Sequence, residues 1–300
     1  VGAPGHVTAD GDFVGNARVY KREPNDGWTK IADIDGTAAN ENVGQSISLN
    51  DDGTTLAVGA PYSANPTANA GLVRVYTRAG DAWTQLGADI RGDTNGDKFG
   101  YSVSMSGNGQ TLAAGGPTNN ANGPQAGHAR VYARDGDTWN PIKNIPGPAG
   151  SRFGFSISLS KDGQTLAVGG RQATVDGNVN AGAVRVYKRN GNAWAESGRI
   201  IGANAAEFLG YSVSLSANGA TVAIGASGTN IAQVHEYRVP VPFVPPKRAA
   251  GCSDQCVGGY AATPVDRAGM KEFREQFATL FQATKHLSQF HCTAPGLSQI

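Results

Sequence analysis

The sequence has few cysteines, few charged residues and no long apolar run. Its 300 residues include only 3 cysteines, and charged residues make up 16% of the chain. No segment approaches the roughly 18 consecutive apolar residues that suggest a transmembrane helix, so no membrane span is expected. The net charge is +1, with Lys and Arg spread along the chain. This balance argues against nucleic acid or an anionic membrane as the main partner.

Patterns typical of catalysis and metal binding are also missing. The sequence contains no GxSxG elbow and no plausible Ser/His/Asp set, and its histidines do not stand at the spacing of zinc ligands. It therefore predicts a protein that is not an enzyme and has no cofactor. Asp93, Asn95 and Asp97 place oxygen donors at alternate positions but lack a later bidentate Glu. An Asx-rich turn is the favoured interpretation there, and calcium is a weak alternative.

Glycine, by contrast, is abundant, and it recurs at fixed places. One eighteen-residue stretch occurs four times and reads FGYSVSMSGNGQTLAAGG from Phe99 to Gly116. The other copies begin at Val43, Phe153 and Leu209. The four tryptophans keep the same period, with spacings of 55, 56 and 55 residues. A steady period of this length, with strand-like content throughout, predicts a β-propeller or another closed β repeat.

Each repeat is interpreted as four short strands. The first (SVSMS type) alternates with small serines, which suit a crowded inner strand, and the second (TLAVG type) is apolar and should be buried on both faces. Asn-Gly or Asp-Gly pairs between them, such as Asp162-Gly163, predict a tight hairpin with a two-residue turn. The third strand carries RVY, and the fourth begins at Trp. The loops between strands two and three, 61–71, 117–127 and 171–182, vary most and are the candidate binding face.

The repeats predict an all-β domain over residues 1–239. Three complete blades span 37–92, 93–147 and 148–202, and partial blades span 1–36 and 203–239. Five blades are therefore visible, with strands missing at both ends. A closed five-bladed ring and a larger ring, for example of seven blades, both remain open. The sequence starts at Val1 in the middle of a repeat and shows no signal peptide, which suggests a processed or partial product.

The recurring stretch resembles the FG-GAP repeats of integrin-α-like β-propellers. FG stands at Phe99-Gly100 and Phe153-Gly154, and GAP at Gly59-Ala60-Pro61. The resemblance implies an extracellular ligand-binding or adhesion module, usually of seven blades. Members of that family often carry a calcium loop between strands one and two. Here that loop is reduced to the hairpin turn, so no calcium is expected at those positions.

The last sixty residues have a different composition. Residues 240–251 form a Pro-rich linker, and residues 252–300 a Cys-containing tail with one predicted helix at 266–290. The disulfide candidates are Cys252, Cys256 and Cys292, with one thiol left over. An apolar stripe runs along the helix and consists of Met270, Phe273, Phe277, Leu280, Phe281 and Leu287. It is expected to pack on its own chain or on another subunit, and least of all on a membrane surface.

These observations predict a secreted or cell-surface, non-enzymatic protein. The propeller would be a rigid structural, interaction or adhesion module, and the tail would dock it to other protein subunits in a larger assembly. The first alternative is a carbohydrate-binding, lectin-like propeller that recognises glycans. A second alternative is an enzyme whose site lies in sequence outside this chain.

Overall fold

The computed structural model describes residues 1–64, 67–80, 82–191, 193–229 and 231–236. All regular elements in these residues are β-strands, and they form five antiparallel sheets that follow one another along the chain. We call the sheets blades 1 to 5. The all-β, propeller-like prediction is confirmed at this level.

The strands have the following bounds. Blade 1 contains β1 (Gly2–Ala3), β2 (Asn16–Arg22) and β3 (Trp28–Asp35). Blade 2 contains β4 (Ser46–Leu49), β5 (Thr55–Ala60), β6 (Leu72–Ala79), β7 (Ala82–Gln85) and β8 (Ile90–Arg91). Blade 3 contains β9 (Ser102–Met105), β10 (Thr111–Gly116), β11 (His128–Asp135) and β12 (Thr138–Pro146). Blade 4 contains β13 (Phe153–Leu159), β14 (Thr165–Gly170), β15 (Ala183–Asn190) and β16 (Ala193–Ile201). Blade 5 contains β17 (Leu209–Leu215), β18 (Thr221–Ala226) and β19 (Ile231–Glu236).

Blades 3 and 4 are four-stranded meanders in which each strand pairs with the next one in sequence. In blade 2 the outermost strand is divided into β7 and β8, which both pair with β6. Every residue of the second strands β5, β10 and β14 is buried. This is the burial expected of strands that a neighbouring blade covers on each face.

The hairpin between the two inner strands differs from the predicted tight turn. Only the glycine of each Asp-Gly or Asn-Gly pair has a positive φ, for example 68° at Gly163, whereas a two-residue type I′ turn needs it at both central residues. Ser160 donates its N–H to the carbonyl of Thr165, and Gly163 donates to Ser160. The loop therefore spans residues 161–164, and its third residue is the left-handed Gly163. The hairpin prediction is correct, and its two-residue turn is wrong.

Serines of the inner strands join blades 2, 3 and 4 each to the next blade. The hydroxyls of Ser46, Ser102 and Ser156 donate to the carbonyls of Gly100, Gly154 and Gly210, each at 2.8 Å. In the opposite sense, the backbone N–H groups of Met105, Leu159 and Leu215 donate to the hydroxyls of Ser48, Ser104 and Ser158 at 2.9 Å. We call this set of bonds the serine ladder. It explains why serine alternates along these strands.

The regular spacing of the repeat glycines has a steric cause at the same contact between blades. A Cβ added to Gly115 would lie 2.1 Å from the carbonyl oxygen of Gly154 in the next blade. The same approach recurs between Gly59 and Gly100, at 2.0 Å. The glycine of the FG pair and the first glycine of the GAP-like segment therefore meet between adjacent blades, where a side chain would push the blades apart.

In blade 1, the short strand β1 pairs with only the first two residues of β2. An apolar cavity of about 480 Å³ lies beside it, lined by residues that include Val19, Ile47 and Leu49. Leu49 is 48% exposed, whereas Leu159, its equivalent in blade 4, is 7% exposed.

Several predictions fall outside the described residues. These are the linker at 240–251, the cysteines Cys252, Cys256 and Cys292, and the apolar helical stripe of the tail. They stay predictions, as do the domain boundaries. No helix among the described residues has the length and apolar character to cross a membrane.

Candidate functional site

Three aromatic side chains of successive blades form one row. Tyr101, Phe155 and Tyr211 occupy the same position of the repeat, directly after the glycine of the FG pair. The ring centroids of Tyr101 and Phe155 are 4.9 Å apart, and those of Phe155 and Tyr211 are 5.2 Å apart. The inner strands of blades 3, 4 and 5 therefore bring a repeated sequence position together into a partly exposed aromatic surface.

Arg171 lies over this row. It follows β14 at the start of a loop between strands two and three, where blades 2 and 3 have Pro61 and Pro117. Its guanidinium carbon is 4.3 Å from the ring centroid of Phe155, 5.7 Å from that of Tyr211 and 5.9 Å from that of Phe208. We call Tyr101, Phe155, Phe208, Tyr211 and Arg171 the inner aromatic cluster. Its cation is held against the negative faces of three rings.

The backbone beside the cluster is in an unusual conformation. Lys98, Arg152 and Phe208 precede the FG pair or its equivalent in blades 3, 4 and 5, and their φ angles are 53°, 52° and 54°. Non-glycine residues seldom adopt positive φ, and where they do the surrounding structure holds them there. Each donates its N–H to a carbonyl of the facing loop, at Asn69, Gln125 and Asn180, over 2.9–3.0 Å. The backbone that carries the cluster is therefore held by the same hydrogen bond in three successive blades.

The charge of Arg171 is not neutralised by any described residue. Its buried Nε has no hydrogen-bond partner, and the groups that act on it electrostatically are Arg152, Tyr101 and Tyr211. Burial, and secondarily the positive charge of Arg152, lower the pKa of Arg171. Arginine still remains protonated at neutral pH. The cluster thus combines a free cationic fork with aromatic faces, an arrangement suited to a ligand that has both an anionic group and an apolar ring face.

Burial also changes the pKa of one tyrosine of the cluster, Tyr101. It raises the pKa of Tyr101, and the nearby Tyr62 adds to this effect while Arg171 opposes it. The Tyr101 hydroxyl is therefore protonated at neutral pH and can donate a hydrogen bond to a ligand.

The weak calcium candidate has a different bonding pattern. The carboxylate of Asp97 accepts hydrogen bonds from the backbone N–H groups of Asp93 and Thr94 at 3.1 Å, and the carboxylate of Asp93 pairs with Arg130. Asn95 lies in the same turn. Among the described residues, no group of three or more His, Cys, Asp or Glu side chains is arranged to hold a metal. Calcium at this turn stays a weak prediction.

Sequence reasoning located one part of the cluster and missed the rest. Arg171 belongs to a variable loop that is a predicted candidate binding face. The sequence alone assigns no binding role to Tyr101, Phe155 and Tyr211, which lie in the recurring stretch at the start of the inner strands. Two signals were nevertheless present: an aromatic residue at one repeat position in three copies, and an arginine in place of a repeated proline.

Comparison with known proteins shows likeness at the level of the fold. No family model and no curated protein matches the sequence. A candidate 6-phosphogluconolactonase from Bacteroides uniformis is 13% identical with a TM-score of 0.52, covering 74% of this chain and 60% of that chain. A second one, from Bacteroides fragilis, is 12% identical with a TM-score of 0.51, covering 75% and 62%. The chain therefore spans about three fifths of the length of these neighbours.

These neighbours contradict the prediction of a non-enzymatic adhesion or assembly module. That prediction rested on the propeller architecture and on the lack of catalytic motifs. The chain shares the architecture with proteins named as lactonases, so the architecture does not indicate adhesion. At 12–13% identity the likeness shows the fold alone.

Proposed function

We propose that this propeller is a hydrolase that binds an anionic sugar lactone at the inner aromatic cluster. The observation that carries the proposal is the guanidinium of Arg171, held 4.3 Å from the ring centroid of Phe155 with its buried Nε unbonded. The structural neighbours support the choice of a lactone, because two of them are named as candidate 6-phosphogluconolactonases.

Each part of the cluster has a role in this proposal. Aromatic faces provide apolar surface against which the C–H face of a sugar ring packs. The planar fork of Arg171 fits a phosphate or carboxylate through two parallel N–H bonds. When water adds to a lactone carbonyl, negative charge develops on its oxygen, and a nearby guanidinium or the Tyr101 hydroxyl stabilises that charge. We assign no general base to the cluster.

The number of blades also bears on this function. Five blades are described, and the chain covers 60–62% of the two neighbours. We infer that these blades belong to a larger ring, of which they form the greater part. The FG-GAP resemblance and the helical tail remain proposals of the same kind.

The direct test is lactone opening by the 300-residue chain. Opening of 6-phosphogluconolactone releases a proton, so a pH indicator follows the rate, which must exceed the spontaneous rate. We expect Arg171→Gln to lower kcat/KM by about tenfold or more, since it removes the cation that contacts the anionic group or the developing charge. The matched control is Arg134→Gln, because Arg134 is a repeat arginine that caps the backbone turn at Gly136 far along β11.

Two outcomes contradict the proposal. One is a wild-type rate equal to the spontaneous rate. The other is an equal loss of activity in Arg171→Gln and Arg134→Gln, which would place the effect outside the inner aromatic cluster. Inhibition by 6-phosphogluconate, the stable open acid, measures binding separately from chemistry.

A further inference from the structure

One position of the third strand is bonded to an acid in three blades. In blade 2, Arg74 Nη2 is 3.1 Å from Glu41 Oε1, and in blade 3, Arg130 Nη1 is 3.1 Å from Asp93 Oδ1. In blade 5 the arginine is replaced by glutamine, and Gln233 still donates to the carboxylate of Glu207 at 3.3 Å. All three acids come from the loop that precedes the blade's inner strand. The repeat thus supplies its own counter-charge.

Blade 4 keeps the arginine and has lost the acid. Arg185 occupies the third-strand position, and the two loop positions that carry acids elsewhere are Pro148 and Ser151. The hydroxyl of Ser151 lies within hydrogen-bond distance of the carbonyl oxygens of Ala126 and Pro148. The side chain of Arg185 is accordingly 21% exposed, compared with 9% for Arg74 and 11% for Arg130.

Among the residues that the structure describes, one carboxylate pairs with both Arg185 and Arg199. Glu196 is 3.5 Å from Arg185 and 3.3 Å from Arg199, and it is itself a third exposed. In blade 2, by contrast, Arg74 has Glu41 at 3.1 Å and Asp89 at 3.2 Å. The pair in blade 4 therefore keeps an excess of positive charge.

This charge faces a small cavity. A space of about 160 Å³ lies between the loop before blade 4 and the loop after β14, and its walls include Arg185, Arg199, Ser151 and Phe153. Arg185 also stands over the ring of Phe153, at 5.9 Å, as Arg130 stands over Phe99 in blade 3, at 5.3 Å. Arg185 thus occupies the same place as the arginines of the other blades. The positions of the loop acids that would pair with it, Pro148 and Ser151, line the cavity.

We propose that this cavity binds a tetrahedral oxyanion of the phosphate class, which takes the place of the acid that the other blades carry. Arg185 and Arg199 provide charge-assisted N–H bonds to its oxygens. The site shares no residue with the inner aromatic cluster, so it stands or falls independently of the proposed lactonase activity.

The test restores the missing acid. Inorganic phosphate is titrated into the 300-residue chain by calorimetry in chloride buffer, and glucose 6-phosphate is titrated in parallel. We expect Pro148→Asp, which rebuilds the contact of Asp93 with Arg130, to weaken phosphate binding about tenfold or more. Pro148→Asn has the same shape without the charge and should bind phosphate as the wild type does. Arg199→Gln, at a half-exposed position, should weaken binding without unfolding the chain.

The melting temperature gives a second readout of the same site. Phosphate should raise the melting temperature of the wild type. Without phosphate, Pro148→Asp should have a higher melting temperature than the wild type, and added phosphate should change it little. Tighter binding of glucose 6-phosphate than of inorganic phosphate would identify the anion as part of a larger ligand, and equal binding would identify a free ion. No binding to the wild type, or equal loss in Pro148→Asp and Pro148→Asn, overturns the proposal.

Discussion

His128 is the buried residue whose ionisation state the structure perturbs most clearly. It begins β11, where blade 2 has Leu72, and its ring is 5.8 Å from that of Phe99. Its Nε2 has no hydrogen-bond partner among the described residues. Burial, with Arg130 as the second cause, lowers the pKa of His128 to about 4. The imidazole is therefore neutral in the folded protein at neutral pH.

This shift predicts a loss of stability on acidification. Between the unfolded pKa of 6.5 and the folded pKa of about 4, His128 is protonated in the unfolded chain and neutral in the folded one. The free energy of unfolding therefore falls as pH falls through this window. The contribution is on the order of 2–3 kcal/mol. His128→Leu introduces the residue type that blade 2 has at this position. It should flatten this part of the dependence of the free energy of unfolding on pH. Urea unfolding at pH 7, 5.5 and 4 measures it, and equal slopes in both proteins would refute the prediction.

Arg171 and Arg185 show how a repeat acquires a specific residue. Both occupy positions that other blades use for structure, a proline in one case and a paired arginine in the other. Arg171 adds a positive charge where other blades have a proline, and Arg185 lacks the loop acid that pairs with Arg74 and Arg130. Departures from the repeat, more than the repeat itself, mark the two places where we propose that this chain binds anions.

At the scale of the strand, the inner hairpins of different blades should respond unequally to the same substitution. Leu159 in β13 is 7% exposed, and its equivalent Leu49 in β4 is 48% exposed beside blade 1. Leu159→Ala should lower the free energy of unfolding by about 2–5 kcal/mol, since it leaves a cavity in a packed core. Leu49→Ala should cost about 1 kcal/mol or less. Chemical denaturation compares the two, and similar losses would show that Leu49 is covered in solution.

The strands were predictable because their signals are local and repeated. The apolar TLAVG segment, the glycine after the turn and the RVY strand recur four times, so the period, the four-stranded blades and the buried second strands followed from the sequence. The turn type did not, because Asp-Gly and Asn-Gly also fit a longer loop in which only glycine has positive φ. The aromatic row did not either, since its contacts join Tyr101, Phe155 and Tyr211 across three blades.

The expectation of adhesion failed for a different reason. The resemblance rested on FG and GAP glycines, and the structure shows that these glycines serve the packing of one blade on the next, as at Gly115 and Gly154. A motif that solves a packing problem specifies the fold and leaves the function open. Function has to be argued from side chains such as Arg171 that the packing does not require.

At the scale of the whole propeller, the serine ladder predicts how the blades depend on one another. Ser102→Ala removes the 2.8 Å bond to the carbonyl of Gly154 and should lower the free energy of unfolding by about 1 kcal/mol. Ser46→Ala and Ser156→Ala should behave alike, and the triple variant should lose about the sum, since the three bonds lie between different pairs of blades. Ser227→Ala, at an exposed serine, is the control. Equal effects in all four single variants would show that the ladder does not couple the blades.

The serine ladder has a further consequence for how such a chain can change over generations. Blades 3 and 4 each offer a hydroxyl donor on one side and a glycine carbonyl on the other, at the period of about 55 residues that the tryptophans keep. A tandem duplication of one whole repeat would thus insert a unit whose two contact surfaces already match its neighbours. The number of blades can therefore change without any new kind of interface, while the loops between the second and third strands can diverge in sequence.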